Sequence, residues 1–188
     1  MPKVEHRSGG TLQATGKRLT GYALVYGTTY SVGGAFDERI APGAADRAIR
    51  EAHDVRLLVN HTGVPLARTK SGTLRLRSDA HGLRVEADLD DSSPDAQSTI
   101  AALRRGDIDA MSFGFKVPQG GDRWDGNVRT ITDFDLLDVS VVAFPANAAT
   151  TASVRSTTPA RATSRPARRA PTPPQRLRAL RYSTRGTR

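Results

Sequence analysis

All 19 acidic residues of this 188-residue chain lie before position 151. Residues 1–150 set them against 18 Lys/Arg and carry a net −1, whereas residues 151–188 hold 10 Arg, no Lys and no acid, a net +10. A packed body is therefore expected within the first 150 residues. The remainder, Arg interspersed with Pro, Ser, Thr and Ala, has too few apolar side chains to offset the entropy of ordering it and is expected to be disordered. Within it, QRLRALRY (Gln175–Tyr182) is a candidate short helix. The chain has no cysteine, which excludes a disulfide framework, a thiolate zinc site and a cysteine nucleophile. No apolar run approaches bilayer length, and the polar Met1–Gly10 lacks a signal peptide's apolar core. A soluble intracellular protein is expected.

The body alternates short apolar runs with turn residues. LTGYALVY (Leu19–Tyr26), VRLLVN (Val55–Asn60) and AMSFGFKV (Ala110–Val117) read as strands. TLRLR (Thr73–Arg77) and LRVEADL (Leu83–Leu89) alternate strictly around a turn and predict a hairpin with one apolar face. Val128–Phe134 and Leu136–Phe144 supply one or two more strands, and Pro145 cannot continue a ladder. Pro42–Ala52 has helical composition, its apolar positions recurring at three and four residues. Ser93 and Pro94 suit an N-cap and first helical position, and Gly106 follows Arg104 and Arg105 as a stop. Gly33 and Gly34 mark a loop. These elements predict an α+β fold: a small, mostly antiparallel β-barrel of about seven strands with at least two inserted helices. The expected organisation is an N-terminal extension (1–17), a domain (18–150) and a basic tail (151–188).

Three residues could carry chemistry together. His61 ends an apolar strand and enters a loop, a position common for titratable site residues. Of the other histidines, His6 lies in the polar N-terminus, His53 follows a helix and His81 sits in a turn. Ser112, in Met111-Ser112-Phe113-Gly114-Phe115, should face away from Met111 and Phe113. Gly114 would leave space on the same side for a substrate backbone. A serine hydroxyl needs a neighbouring base, and that base needs an acceptor on its second nitrogen. Asp138, within the apolar run Leu136–Val142, is a carboxylate that is costly to bury unless paired; Asp133 and Asp135 are alternatives. Asp88, Asp90, Asp91 and Asp95 read as a strand end and a helix N-terminus rather than a cation site.

In order and spacing, the blocks GYALVYG, FDERIAPGA, Val59-Asn60-His61, Leu83–Ala87, Arg104–Ile108 leading into Met111–Phe115, and Leu137–Val142 with Phe144-Pro145-Ala146-Asn147 resemble the tailed-phage prohead protease family. That family's fold is similar to the herpesvirus assemblins. The resemblance spans roughly residues 18–150. It implies a serine endopeptidase with His61 as base and Ser112 as nucleophile, needing no cofactor or metal. Family members often carry an acid, frequently Glu, where this chain has Asp138. Implied substrates are the major capsid protein with its scaffold segment, and the protease itself, inside the prohead assembling in the bacterial cytoplasm. Self-association as a dimer stays open. Oxyanion donors near Pro145–Ala148, or an arginine, are candidates. The competing readings are a nucleic-acid-binding protein acting through the arginine-rich tail, and an inert capsid-assembly component. The tail could also dock on acidic surfaces or be trimmed by the enzyme itself.

Overall fold

The computed structural model describes residues 3–144. The expectations placed on Pro145–Ala148 and on the arginine-rich region lie outside those residues. In chain order the strands are β1 (Glu5–Thr15), β2 (Arg18–Val25), β3 (Thr29–Val32), β4 (Phe36–Ile40), β5 (Arg56–Val59) and β6 (Thr62–Arg68), with α1 (Asp46–Arg50) between β4 and β5. They continue as β7 (Leu74–Ser78), β8 (Gly82–Asp88), β9 (Ala110–Lys116), β10 (Asp122–Asp125), β11 (Val128–Ile131) and β12 (Asp135–Val142), with α2 (Pro94–Arg105) between β8 and β9. No helix among the described residues is long and apolar enough to cross a membrane.

The barrel expected from sequence does not form, and the chain is mostly β-sheet with two short helices. One ladder runs β6-β5-β12-β9-β1-β2-β8-β7, and a separate four-stranded sheet runs β10-β11-β4-β3. Strand β1 divides the long ladder: Glu5–Thr11 pairs with β9, and Leu12–Thr15 pairs with β2. The result is three open sheets, two of them sharing β1. The ladder's end strands, β6 and β7, do not pair with each other; α2 packs against β6 and α1 against β7. A helix over an edge blunts it without closure. Pairing is antiparallel except for β12 with β5 and β11 with β4.

Twelve strands replace the expected seven because five are short or lack an apolar signature. Strand β1 (EHRSGGTLQAT) arises within the segment expected as an extension, and β6 contains Pro65, which an edge strand tolerates. Gly33 and Gly34, at φ +58° and +73°, form the tip of the β3–β4 hairpin. Helix α2 begins and ends where the sequence indicates, with Gly106 left-handed at φ +77°.

Strand β9 separates core from site. Met111, Phe113 and Phe115 point into the apolar core, where Phe113, Phe115 and Phe134 pack with ring centroids 4.8–5.6 Å apart. Ser112 and Gly114 lie on the other face. Across that face the register pairs Ser8, Ser112 and Ser140 in one row, and His6, Gly114 and Asp138 in the next.

Candidate active site

Two irregularities place the polar row. A bulge between Leu136 and Asp138 lets Leu136 and Val139 both reach the core while Asp138 and Ser140 face the site. Strict alternation would have put Leu136 beside Asp138. The second is the β5–β6 turn. Val59 pairs with Thr62, leaving a two-residue loop of Asn60 and His61 with φ +49° and +61°. Both residues at positive φ define a type I′ hairpin turn. Asn60 suits that conformation. Its N–H donates to the Val141 carbonyl at 3.0 Å, and its side-chain oxygen accepts from the Ala143 N–H at 3.2 Å. Together these pin the turn to β12 and swing His61 over β9.

His61 Nδ1 lies 2.6 Å from Asp138 Oδ1, and Nε2 lies 2.7 Å from Ser112 Oγ. A carboxylate can only accept, so Nδ1 carries the proton and Nε2 offers its lone pair to the serine. The Ser140 hydroxyl donates to the same Asp138 oxygen at 2.8 Å and accepts the His61 backbone N–H at 3.1 Å. Asp138 and Ser140 are buried, so the otherwise costly carboxylate is held by two donors. Ser112 is also buried, and its hydroxyl donates to the Arg7 carbonyl at 2.8 Å. Its single proton thus has two acceptors in reach, Nε2 and that carbonyl.

The three residues singled out in sequence therefore come together, and Asp138 is the acid that reaches the imidazole. Asp133 and Asp135 instead accept from Arg47 at 2.8 and 2.7 Å. His53 bonds Glu51, and His81 stacks edge-on to Tyr22. The aspartates near β8 are likewise engaged: Asp88 with Arg75 and Arg18, Asp90 with Ser92. Gly114 plays a different part from the one expected. A Cβ there would stand 2.1 Å from Asp138 Oδ2 and 3.1 Å from His6 Nδ1, so the glycine makes room for these side chains rather than for a substrate.

Sequence reasoning missed Ser140 and His6. Ser140 had a usable signal, a hydroxyl two residues beyond Asp138 and so on the same face. His6 had none, since only the β1–β9 register brings it to the site. Its exposed ring lies on His61, centroids 4.0 Å apart at 52°. Partial burial and the neighbouring His61 lower its pKa from the ordinary histidine value. Arg7, whose carbonyl meets Ser112, turns its guanidinium to Glu38 at 2.7 Å and Glu5 at 2.8 Å. Asn60 and Thr62, flanking His61, also line a groove of about 310 Å³ with Val64, Leu66, Asp95 and Ser98.

A hydroxyl, an imidazole and a carboxylate linked in that order, on a sheet scaffold, form the constellation of the serine hydrolases. The caudovirus prohead serine protease family matches residues 3–164, and the chain belongs to that family. It is 30% identical over 131 residues to the prohead protease of Enterobacteria phage HK97, a stretch covering 68% of this chain and 55% of that protein. The chain thus corresponds to little more than half the length of that relative. No solved structure matches it.

Proposed function

We propose that this chain is a serine endopeptidase of phage prohead maturation, with Ser112 as nucleophile, His61 as general base and Asp138 as the group orienting the base. The 2.7 Å approach of His61 Nε2 to Ser112 Oγ, with the carboxylate behind the ring, carries this reading. Ser112 Oγ attacks the scissile carbonyl while its proton passes to Nε2. The resulting imidazolium is stabilised by Asp138, then protonates the leaving amine. Water, activated by the same nitrogen, releases the acyl group. Ser140 keeps ring and carboxylate in register through its two hydrogen bonds. The groove beside Asn60 and Thr62 offers a path for an extended peptide past the turn.

Family membership and the HK97 relative support the head-assembly setting. The proposed substrates are the major capsid protein with its scaffold segment, and the protease itself. The site of action is the prohead assembling in the bacterial cytoplasm. Co-expression with the capsid protein tests this. Wild type shortens that protein and Ser112→Ala does not; shortening by the variant would overturn the role of Ser112. Prolonged incubation followed by mass measurement tests self-processing, which equal intact masses for both proteins would exclude. Labelling of Ser112 by a serine-reactive phosphonate is expected for the wild-type chain.

A further inference from the structure

We propose that His6, His61 and Asp138 form a binding site for a borderline transition-metal dication of the Zn²⁺ class, and that its occupation switches the hydrolytic site off. One ligand atom from each residue lies within 4.8 Å of the others, and among the described residues this is the group of three so placed. A tetrahedral zinc with ligands at 2.0–2.2 Å sets them roughly 3.3 Å apart, so closure needs movements of about an ångström. Exposed His6 can close the long gaps, and the 2.6 Å hydrogen bond between His61 Nδ1 and Asp138 Oδ1 opens as its proton leaves. His6 projects from β1 with its ring on His61, while Asp138 is buried and held by Ser140.

Gly114 is the reason the ligands face one space. Asp138 Oδ2 and His6 Nδ1 stand 2.1 and 3.1 Å from the point where any other residue would carry its Cβ. Two imidazoles and one carboxylate suit zinc, cobalt, nickel or copper, whereas magnesium and calcium favour all-oxygen sets. Three protein ligands leave a fourth position for water, and the solvent-facing His6 gives a route of entry.

The chemistry at His61 follows from its tautomer. A bond from the metal to Nδ1 needs the lone pair there. The proton now on Nδ1 is therefore lost and replaced by one on Nε2, with no net change in the ring's protonation. Nε2 then donates to Ser112 instead of accepting from it, and the hydroxyl has no base. Binding stands independently of the protease reading; the loss of activity rests on it.

Full-length protein freed of metal with a chelator is titrated with Co²⁺, followed by visible absorption, and with Zn²⁺, followed by calorimetry. Wild type and Ser112→Ala are expected to give a tetrahedral cobalt spectrum at one equivalent. His6→Ala and His6→Gln are expected to bind at least about tenfold more weakly, with circular dichroism checking their folding. No tetrahedral spectrum in wild type, or equal affinity in both folded His6 variants, overturns the site. On a capsid-derived peptide, Zn²⁺ should inhibit wild type reversibly and His6→Gln at least about tenfold less strongly. Binding without inhibition overturns the switch. Absent cleavage by the metal-free wild type condemns the protease reading instead and leaves the spectra to judge the site.

Discussion

His61 occupies a backbone region that glycine would fill at lower cost. Its φ of +61° puts a side chain where L-residues lose about 1–2 kcal/mol, a strain typical of functional positions. The return is placement: from this turn one nitrogen meets Ser112 and the other Asp138. On the proposed mechanism, Asp138→Asn keeps the shape but favours the wrong tautomer, and kcat should fall about 10³–10⁴-fold with KM little changed. Peptide kinetics decide this; a loss under tenfold would remove Asp138 from the mechanism. Gly114→Ala intrudes on Asp138 Oδ2 at 2.1 Å. It should cost about 1–3 kcal/mol by overpacking and lower kcat with it, as read by urea unfolding and the same assay.

Among the elements, β1 does the most for its apparent plainness. Its Arg7 carbonyl faces Ser112, while the Arg7 guanidinium turns to the opposite side and pairs with Glu38. Glu38, on β4, is fully buried and also accepts from Tyr30 and Arg129. Arg129 in turn reaches Glu5 and Asp122. This network ties β1 of the long ladder to β3, β4, β10 and β11 of the smaller sheet. Burial and the Glu38 charge push the Tyr30 hydroxyl well above the ordinary tyrosine range. Removing one partner of a buried ion network leaves the others desolvated and unpaired. Glu38→Ala is therefore expected to destabilise by about 3–5 kcal/mol, measurable as a lowered urea midpoint. A cost under 1 kcal/mol would mean that water reaches Arg7 and Arg129 freely. A second constraint on β1 is Gly10, where a Cβ would stand 1.5 Å from the Tyr22 carbonyl oxygen as the strand passes between sheets.

For the whole molecule, acid is the condition that should unfold it. Several exposed carboxylates are held below their ordinary values: Glu51 by His53, Asp54 by Arg68, Asp79 by Tyr22 and two backbone amides, Asp88 by Arg75 and Arg18, Asp90 by Ser92. A lowered folded-state pKa means that the folded chain binds fewer protons than the unfolded one. Stability from these groups is complete above their unfolded values of 3.8 and 4.5 and is lost as pH falls through the folded values. Melting temperature should slope down gently as pH falls from 7 to 5, because the unfolded chain protonates His6 more readily than the folded one, and drop more steeply below about pH 4 as the carboxylates protonate; a melting temperature unchanged at pH 3 would contradict the assignment.

Local chemistry was legible from the residues alone. The ends of α2, the alternation of β7 and β8, and the apolar and polar faces of β9 follow from periods of 3.6 and 2 and from Pro and Gly as terminators, properties each segment carries by itself. Ser112, His61 and Asp138 stood out only as candidates, a hydroxyl, an imidazole and a carboxylate set in apolar strands; it was the resemblance of the surrounding blocks to the prohead protease family that grouped them. Closure into a barrel was not legible. It depends on which edge strands meet, and polar or short strands such as β1, β6 and β10 announce neither their existence nor their partners. The neighbours Ser140 and His6, and the true purpose of Gly114, were decided only in three dimensions. A bulge in β12, a type I′ turn at His61 and the register of β1 against β9 bring together residues up to 132 positions apart along the chain, from His6 to Asp138, and no local property of the sequence encodes that meeting.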